Sequence, residues 1–241
     1  RHLSFFDSML ELQRRLFALS LLAGGGLLTA GCGGGGGGVD EGAPGPAPAP
    51  GGGDDPATRT FAYIARPDSR DVAIHQVLAS GALRFVESSP AGSGVSKVAV
   101  HPSGRFAYAL NSDARSVSVY DRQPADGLLS FKRSLEIGSF SALSDFRFHP
   151  NGEMAYVGTG GAIQAVSINA DSGELQLGSL TQDAIPIEGF DVHPAGDRVF
   201  TIPHVARVIS WRVVGDLLEE VNYVEIDGDP LGVVVSPSGR F

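Results

Sequence analysis

The stretch HPSGRFAY at residues 101–108 returns as HPNGEMAY at 149–156 and as HPAGDRVF at 193–200. A shorter copy, SPSGRF, occupies residues 236–241. The repeats delimited by these copies begin at residues 61, 106, 154, 198 and 241, a spacing of 43 to 48 residues. A period of this length indicates one supersecondary unit per repeat, whose apolar faces are buried only when neighbouring repeats stack.

Each repeat is predicted to consist of β-strands joined by polar turns. Val98–Val100 and Phe146–Phe148 alternate apolar with other residues, which is the period of a half-buried strand. The Pro-x-Gly turn follows, and later strands are predicted at Ser116–Tyr120 and Ile163–Ile168. The hairpin turns ADG (125–127) and DSG (171–173) then lead into a fourth strand.

Four antiparallel strands per repeat, with no helical period after the N-terminal region, predict an all-β fold. The architecture expected is a β-propeller of four-stranded antiparallel blades, with about four blades present. The predicted blade repeats are residues 61–105, 106–153, 154–197 and 198–240, within a propeller region at 60–241.

The repeated histidines are candidates for metal binding, and their spacing argues against it. His101, His149 and His193 occupy one position per repeat, so a ring of blades holds their side chains apart. We therefore expect no metal site, and we expect each imidazole to hydrogen-bond within its own turn. Neither a phosphate-cradling loop nor a metal-ligand cluster is found, so no cofactor is predicted.

The N-terminal region is predicted to be an export signal, over residues 1–31. Arg14 and Arg15 precede an apolar stretch, Leu16–Leu28, of signal-peptide length, and Met9 is a possible true start. The stretch ends in LTAGC (28–32), which resembles a bacterial lipobox with Cys32 as the lipidated residue. The alternative is an ordinary buried thiol, and export could follow the twin-arginine or the general secretory route.

Residues 32–59 are predicted to tether the lipid to the folded region. They are rich in Gly, Pro and Ala and have no apolar periodicity, so they cannot bury enough surface to fold. Because Gly33 rather than aspartate follows Cys32, the resemblance implies an outer-membrane location in a bacterial cell envelope, facing the periplasm or the surface.

The net charge of −9 argues against nucleic acid as a partner, because phosphates require a basic surface. The membrane, through the lipid on Cys32, is the expected partner, and the protein is expected to be a monomer.

The stretch VHPSGRFAYALNSDARSVSVYDRQPADGLLS (100–130) resembles the lactonase-type seven-bladed β-propellers. That family includes a bacterial 6-phosphogluconolactonase and is related to the Tyr-Val-Thr-Asn surface repeats. The resemblance extends over residues 61–241 and implies seven blades, so the sequence is expected to be truncated. It also implies that the first blade lacks its innermost strand, which the C terminus supplies in the family.

The resemblance leaves two functions open: hydrolysis of a sugar lactone, or a non-catalytic envelope module that binds protein or glycan. Family members tend to carry Pro-x-His shortly before the repeated turn, where this chain has Lys97, Asp145 and Glu188 nearby. Lactone hydrolysis needs a general base and a cation for the oxyanion. The candidate bases are Glu188, Asp145 and His204, and the candidate substrate-binding cations are Lys97, Arg115 and Arg207. The alternative is that these are ordinary solvated loop residues.

Overall fold

The computed structural model describes residues 59–138, 143–182, 187–228 and 230–239. Over these ranges the regular structure is entirely β-strand. The strands are β1 (Thr60–Arg66), β2 (Asp71–Val77), β3 (Leu83–Pro90), β4 (Val95–Val100), β5 (Phe106–Asn111), β6 (Ser116–Arg122), β7 (Leu129–Glu136), β8 (Phe146–Phe148), β9 (Met154–Thr159), β10 (Ala162–Ile168), β11 (Leu175–Gln182), β12 (Ile187–Val192), β13 (Arg198–Pro203), β14 (Arg207–Val214) and β15 (Leu217–Glu225).

The strands form four antiparallel sheets, one per blade, in which neighbours follow chain order. Blades two, three and four have four strands each: β4–β7, β8–β11 and β12–β15. The first blade has three strands among the described residues, β1–β3, as the family resemblance implied for its innermost position. The innermost strands β4, β8 and β12 pack against one another in succession, which confirms the predicted propeller architecture.

Each copy of the repeated turn joins the innermost strand of a blade to its second strand. HPSG lies between β4 and β5, and the next two copies lie between β8 and β9 and between β12 and β13. The turn glycines Gly104, Gly152 and Gly196 have φ values of 71°, 74° and 76°. This left-handed backbone favours glycine, which explains why the residue recurs there.

The core lies between the blades, because alternate residues of each strand point to opposite faces of its sheet. Between blades one and two it contains Val72, Ile74, Val95, Ala107, Ala109 and Tyr120. Between blades two and three it contains Tyr108, Leu110, Val117, Phe146, Val157 and Leu175. Between blades three and four it contains Tyr156, Ile163, Phe190, Ile209, Trp211 and Leu218.

The repeated histidine links one blade to the next. Nδ1 of His101 accepts the backbone N–H of Ser103 at 3.1 Å, so the ring proton lies on Nε2. Nε2 donates to the carbonyl oxygen of Gly152, in the next turn, at 2.7 Å. The expected hydrogen bond within the turn is therefore confirmed, and a second bond between blades accompanies it.

A second link between blades comes from the tyrosine of the repeat. Tyr63 and Tyr108 donate to the carbonyl oxygens of Gly127 and Gly173, both at 2.8 Å, in the third hairpin of the following blade. Among the described residues the equivalent Tyr156 hydroxyl has no hydrogen-bond partner, although it is buried. The reason is that the β14–β15 connection has only Gly215 and Asp216, whereas the β6–β7 and β10–β11 connections that Tyr63 and Tyr108 reach have six residues each.

The predicted signal peptide, Cys32 and the tether lie outside the described residues. Within the described ranges, no helix has the length and hydropathy required to cross a membrane.

Candidate functional site

One edge of the sheets carries the candidate site. There the loop between the second and third strands is hydrogen-bonded to the chain that leaves the fourth strand. The carbonyl oxygens of Arg70, Arg115 and Ala206 accept the backbone N–H groups of Ala91, Ile137 and Ile226 at 2.8, 2.9 and 2.8 Å. We call this edge the loop face: the loops 67–70, 112–115 and 204–206 and the first residues of β4, β8 and β12. Such loops on a rigid scaffold are where propeller ligands bind.

The six residues proposed from sequence all lie on or next to the loop face. Lys97 and Glu188 are near the start of β4 and β12, and Asp145 directly precedes β8. Arg115 and His204 lie in second-strand loops, and Arg207 begins β14. Their catalytic and binding roles remain predictions.

Glu188 and His204 form a pair. The register shift between Ile187 and Gly189 leaves Glu188 bulged out of the ladder with β13. Bulges redirect a side chain in this way and are frequent beside active sites. Oε1 of Glu188 lies 2.8 Å from Nδ1 of His204, and the two side chains are 40% and 72% exposed. The pair is therefore formed in the folded protein and remains accessible to a ligand.

Lys97 and Asp145 are also brought together, as an ion pair between blades two and three. Oδ1 of Asp145 also accepts the backbone N–H of Phe146 at 2.7 Å. Oδ2 accepts Nε of Arg147 at 3.1 Å. Three donors thus engage Asp145, which favours a positioning role over that of a general base.

Two functional candidates were missed from the sequence: Arg147 and Asp191. Nε of Arg147 lies 3.9 Å from Oδ1 of Asp191, so the charges of Lys97, Asp145, Arg147 and Asp191 form a row across β4, β8 and β12. We call these four side chains the inner-strand row. The available signal was that Arg147 and Asp191 stand two residues before the repeated histidine of their repeats.

The other two predicted cations lie apart from the inner-strand row. Arg115 is exposed in its loop with a φ of 49°, and Arg70 has a similar φ of 55° at the equivalent position, so this conformation belongs to the repeated turn. The Arg207 guanidinium lies over the Tyr223 ring, 5.5 Å from its centroid. Arg207 also lines an open depression of about 650 Å³ with Glu225 and Asp227.

A further ion pair sits at the first-blade part of the loop face. Nε and Nη2 of Arg66 donate to the two Asp71 oxygens at 2.7 and 2.6 Å. This two-pronged contact lowers the pKa of Asp71 below its ordinary value. Because Asp71 is already saturated by Arg66, it is a poor candidate for a general base.

A metal centre receives no support from this geometry. Within the described ranges, no three His, Cys, Asp or Glu side chains are grouped so that they could hold a metal ion. What the loop face offers is an imidazole held by a carboxylate, with cationic groups in neighbouring loops and strands. Such an arrangement can remove a proton from water and stabilise a developing negative charge.

The sequence model of a family described as "Lactonase, 7-bladed beta-propeller" matches residues 57–189. Among solved structures, the periplasmic gluconolactonase of Pseudomonas aeruginosa is 16% identical with a TM-score of 0.62, over 69% of this chain and 51% of its own. A Bacteroides fragilis protein with the provisional name 6-phosphogluconolactonase is 13% identical with a TM-score of 0.58, over 74% of this chain and 58% of its own.

A protein from Lactobacillus plantarum is 15% identical, with a TM-score of 0.58, over 70% of this chain and 56% of its own. At these identities the likeness shows the fold alone. The chain spans between half and three fifths of the length of these structures. No curated protein matches the chain.

Proposed function

The chain belongs to the family of seven-bladed β-propeller lactonases, and on this premise we propose that it hydrolyses a sugar lactone at the loop face. The observation that carries the proposal is the 2.8 Å contact between Glu188 Oε1 and His204 Nδ1. An imidazole whose Nδ1–H is held by a carboxylate presents Nε2 as a base, which is the arrangement that activates a nucleophile.

In the proposed reaction a water molecule adds to the carbonyl carbon of the lactone while Nε2 of His204 accepts its proton. Glu188 holds the Nδ1–H and stabilises the imidazolium that forms. The bond between the carbonyl carbon and the ring oxygen then breaks, and the ring oxygen takes the proton from Nε2. The product is an open-chain hydroxy acid, and the pair returns to its starting state.

The negative charge on the carbonyl oxygen needs a cation during this reaction. We assign this role to Arg207, which lies on the same blade as His204 and lines the open depression with Glu225 and Asp227. Lys97 is less suited, since its ammonium group is engaged by Asp145.

Hydrolysis of D-glucono-δ-lactone by the full chain, followed as acid release above the rate in buffer, tests the proposal. His204→Asn and Glu188→Gln should lower the catalysed rate by about 100-fold or more, the usual contribution of a general base. Glu219→Gln is the matched control, because it removes a carboxylate of the same blade from an exposed ion pair with Arg212. A wild-type rate equal to that of buffer, or full activity in both pair variants, would contradict the proposal.

A second candidate is a binding module for an envelope protein or glycan. It is supported by the exposure of His204, at 72%, and by the open shape of the depression beside Arg207. Enzyme sites usually bury most of a small substrate, whereas a surface that binds a macromolecule can be open. Absence of lactone hydrolysis, together with retention of a purified cell-wall glycan on the immobilised chain, would favour this candidate.

We further propose that the protein is exported and held in the cell envelope by lipid on Cys32. Support comes from the sequence alone: the arginine pair, the apolar stretch Leu16–Leu28 and the small residues before Cys32. A site beyond the cytoplasm argues against a sugar phosphate as substrate and favours an unphosphorylated sugar lactone.

A further inference from the structure

Arg147 is the one arginine of the inner-strand row, and its guanidinium is only partly used. Nε donates to Oδ2 of Asp145 at 3.1 Å and lies 3.9 Å from Oδ1 of Asp191. Both of these contacts involve Nε, and no hydrogen bond from either terminal nitrogen is found among the described residues. The side chain is 37% exposed. Arg147 therefore offers its terminal nitrogens to a ligand.

The two carboxylates that hold Arg147 are themselves anchored to the backbone. Asp145 accepts the N–H of Phe146 at 2.7 Å. Asp191 accepts the N–H groups of Val192 and Val235 at 3.0 and 2.8 Å. Since neither carboxylate is free to turn away, the guanidinium is positioned before any ligand arrives, which lowers the entropic cost of binding.

The charges of the inner-strand row balance, with two cations and two anions. The ammonium of Lys97 is engaged by Asp145, whereas the planar guanidinium of Arg147 retains two parallel donors. This fork matches the two oxygens of a carboxylate, which an ammonium group does not. The geometry of this fork, and not the net charge of the row, therefore fits a planar anion at Arg147.

We propose that Arg147 binds the carboxylate of the ring-opened hydroxy acid, an inference that rests on the proposed lactone hydrolysis. A lactone is uncharged, whereas the acid formed from it carries a carboxylate at the carbon that was attacked. Arg147 consequently favours the charged product over the uncharged substrate. The ligand class is a sugar-derived hydroxy carboxylate.

Calorimetric titration of the full chain with sodium gluconate tests this site, with sorbitol as the uncharged analogue. Arg147→Gln should weaken gluconate binding by about 10-fold or more, the value of a charge-assisted pair. Arg133→Gln is the matched control, since it removes an exposed arginine of β7 whose partner Glu174 lies 3.4 Å away. That control should bind gluconate like the wild-type chain.

Arg147→Lys guards against loss of folding in Arg147→Gln, because it keeps a cation between Asp145 and Asp191. It should also bind gluconate more weakly than the wild-type chain, since the planar fork is lost. Failure of the wild-type chain to bind gluconate, equal binding of sorbitol, or unchanged binding in both Arg147 variants overturns the site.

Hydrolysis is measured separately, so the two proposals can fail independently. Gluconate binding that depends on Arg147 without lactone hydrolysis leaves the anion site and removes the proposed reaction. Lactone hydrolysis by the wild-type chain, together with gluconate binding that the Arg147 variants leave unchanged, supports the proposed reaction. The same result removes the anion site at Arg147.

Discussion

Nε2 of His101 donates to the carbonyl oxygen of Gly152 across 2.7 Å, and so joins the turn of one blade to the same turn of the next. His149 makes the same contact with Gly196 at 2.9 Å, and His193 reaches Gly239 at 3.4 Å. The recurrence of the HPxG phrase thus has a structural cause: its first residue holds the last residue of the following copy.

Replacing the clamped glycine should destabilise the protein more than replacing a free one. Gly196→Ala would place a methyl group against the His149 ring at a φ of 76°, whereas Gly215→Ala, at 64°, meets nothing within 4 Å. Both variants place a side chain at positive φ, and only Gly196→Ala also disturbs the contact with His149. We therefore expect the free energy of unfolding to fall by about 3 kcal/mol in Gly196→Ala and by about 1 kcal/mol in Gly215→Ala. Denaturant unfolding measures both, and equal costs would contradict the clamp.

Removing the hydroxyl of the repeated tyrosine should change the free energy of unfolding differently in two blades. Tyr108→Phe leaves the Gly173 carbonyl without its donor and should cost about 1 to 2 kcal/mol in the free energy of unfolding. Tyr156→Phe removes a buried hydroxyl that has no partner among the described residues, and should be neutral or stabilising. The same denaturant assay compares them, and a destabilised Tyr156→Phe variant would reveal a missed partner.

Alkaline pH should weaken the fold through the buried tyrosines. Burial raises the pKa of Tyr120 and of Tyr156 from 10.0 to about 12, so the folded state holds these protons more tightly than the unfolded state. The resulting stabilisation is complete below pH 10 and is lost as the pH rises towards 12. At about pH 11 each tyrosine should cost about 1 kcal/mol relative to neutral pH.

Unfolding curves at neutral and alkaline pH, with tyrosinate absorbance recorded in parallel, measure this loss and separate tyrosine from lysine ionisation. Tyr156→Phe is the control, because it lacks the contribution of Tyr156 and should lose less stability than the wild-type chain. An equal loss of stability in Tyr156→Phe and in the wild-type chain would contradict the assignment.

Cys32→Ser should release the protein from membranes, because one thioether-linked lipid carries the proposed attachment. Fractionation of cells that express the full chain measures this, with the membrane fraction depleted and the soluble fraction enriched. Membrane retention of the variant would refute lipidation at Cys32, and the Glu219→Gln variant should fractionate like the wild-type chain.

Much of the fold was predictable because it rests on local signals. The strands around Val98–Val100 and Phe146–Phe148 follow from alternation, and the turn glycines follow from the backbone conformation that a tight corner imposes. The repeat length then indicates one four-stranded blade per repeat. The signal peptide and tether are likewise local patterns, and they remain predictions because they lie outside the described residues.

The candidate site was predictable only as a set of positions. Strand order places Glu188 and His204 on one face, and the pairing of β12 with β13 brings them together across a register shift at Glu188. Arg147 was missed because its partners Asp145 and Asp191 come from two different blades, and no sequence period reports such a contact.

By itself, the sequence determined the all-β repeat and the identity of the turn residues, because these depend on the conformation of neighbouring residues along the chain. The sheets are offset by one strand from the sequence repeats, because β4, β8 and β12 pair with the strand that follows the turn. Only the tertiary structure decided which side chains meet between blades. It alone showed that His101 clamps Gly152 and that Arg147 is held between two aspartates. It also showed that the Tyr156 hydroxyl has no partner among the described residues, beside a shortened hairpin. These contacts depend on how sheets pack across residues distant in sequence, where packing and electrostatics act and local propensity does not.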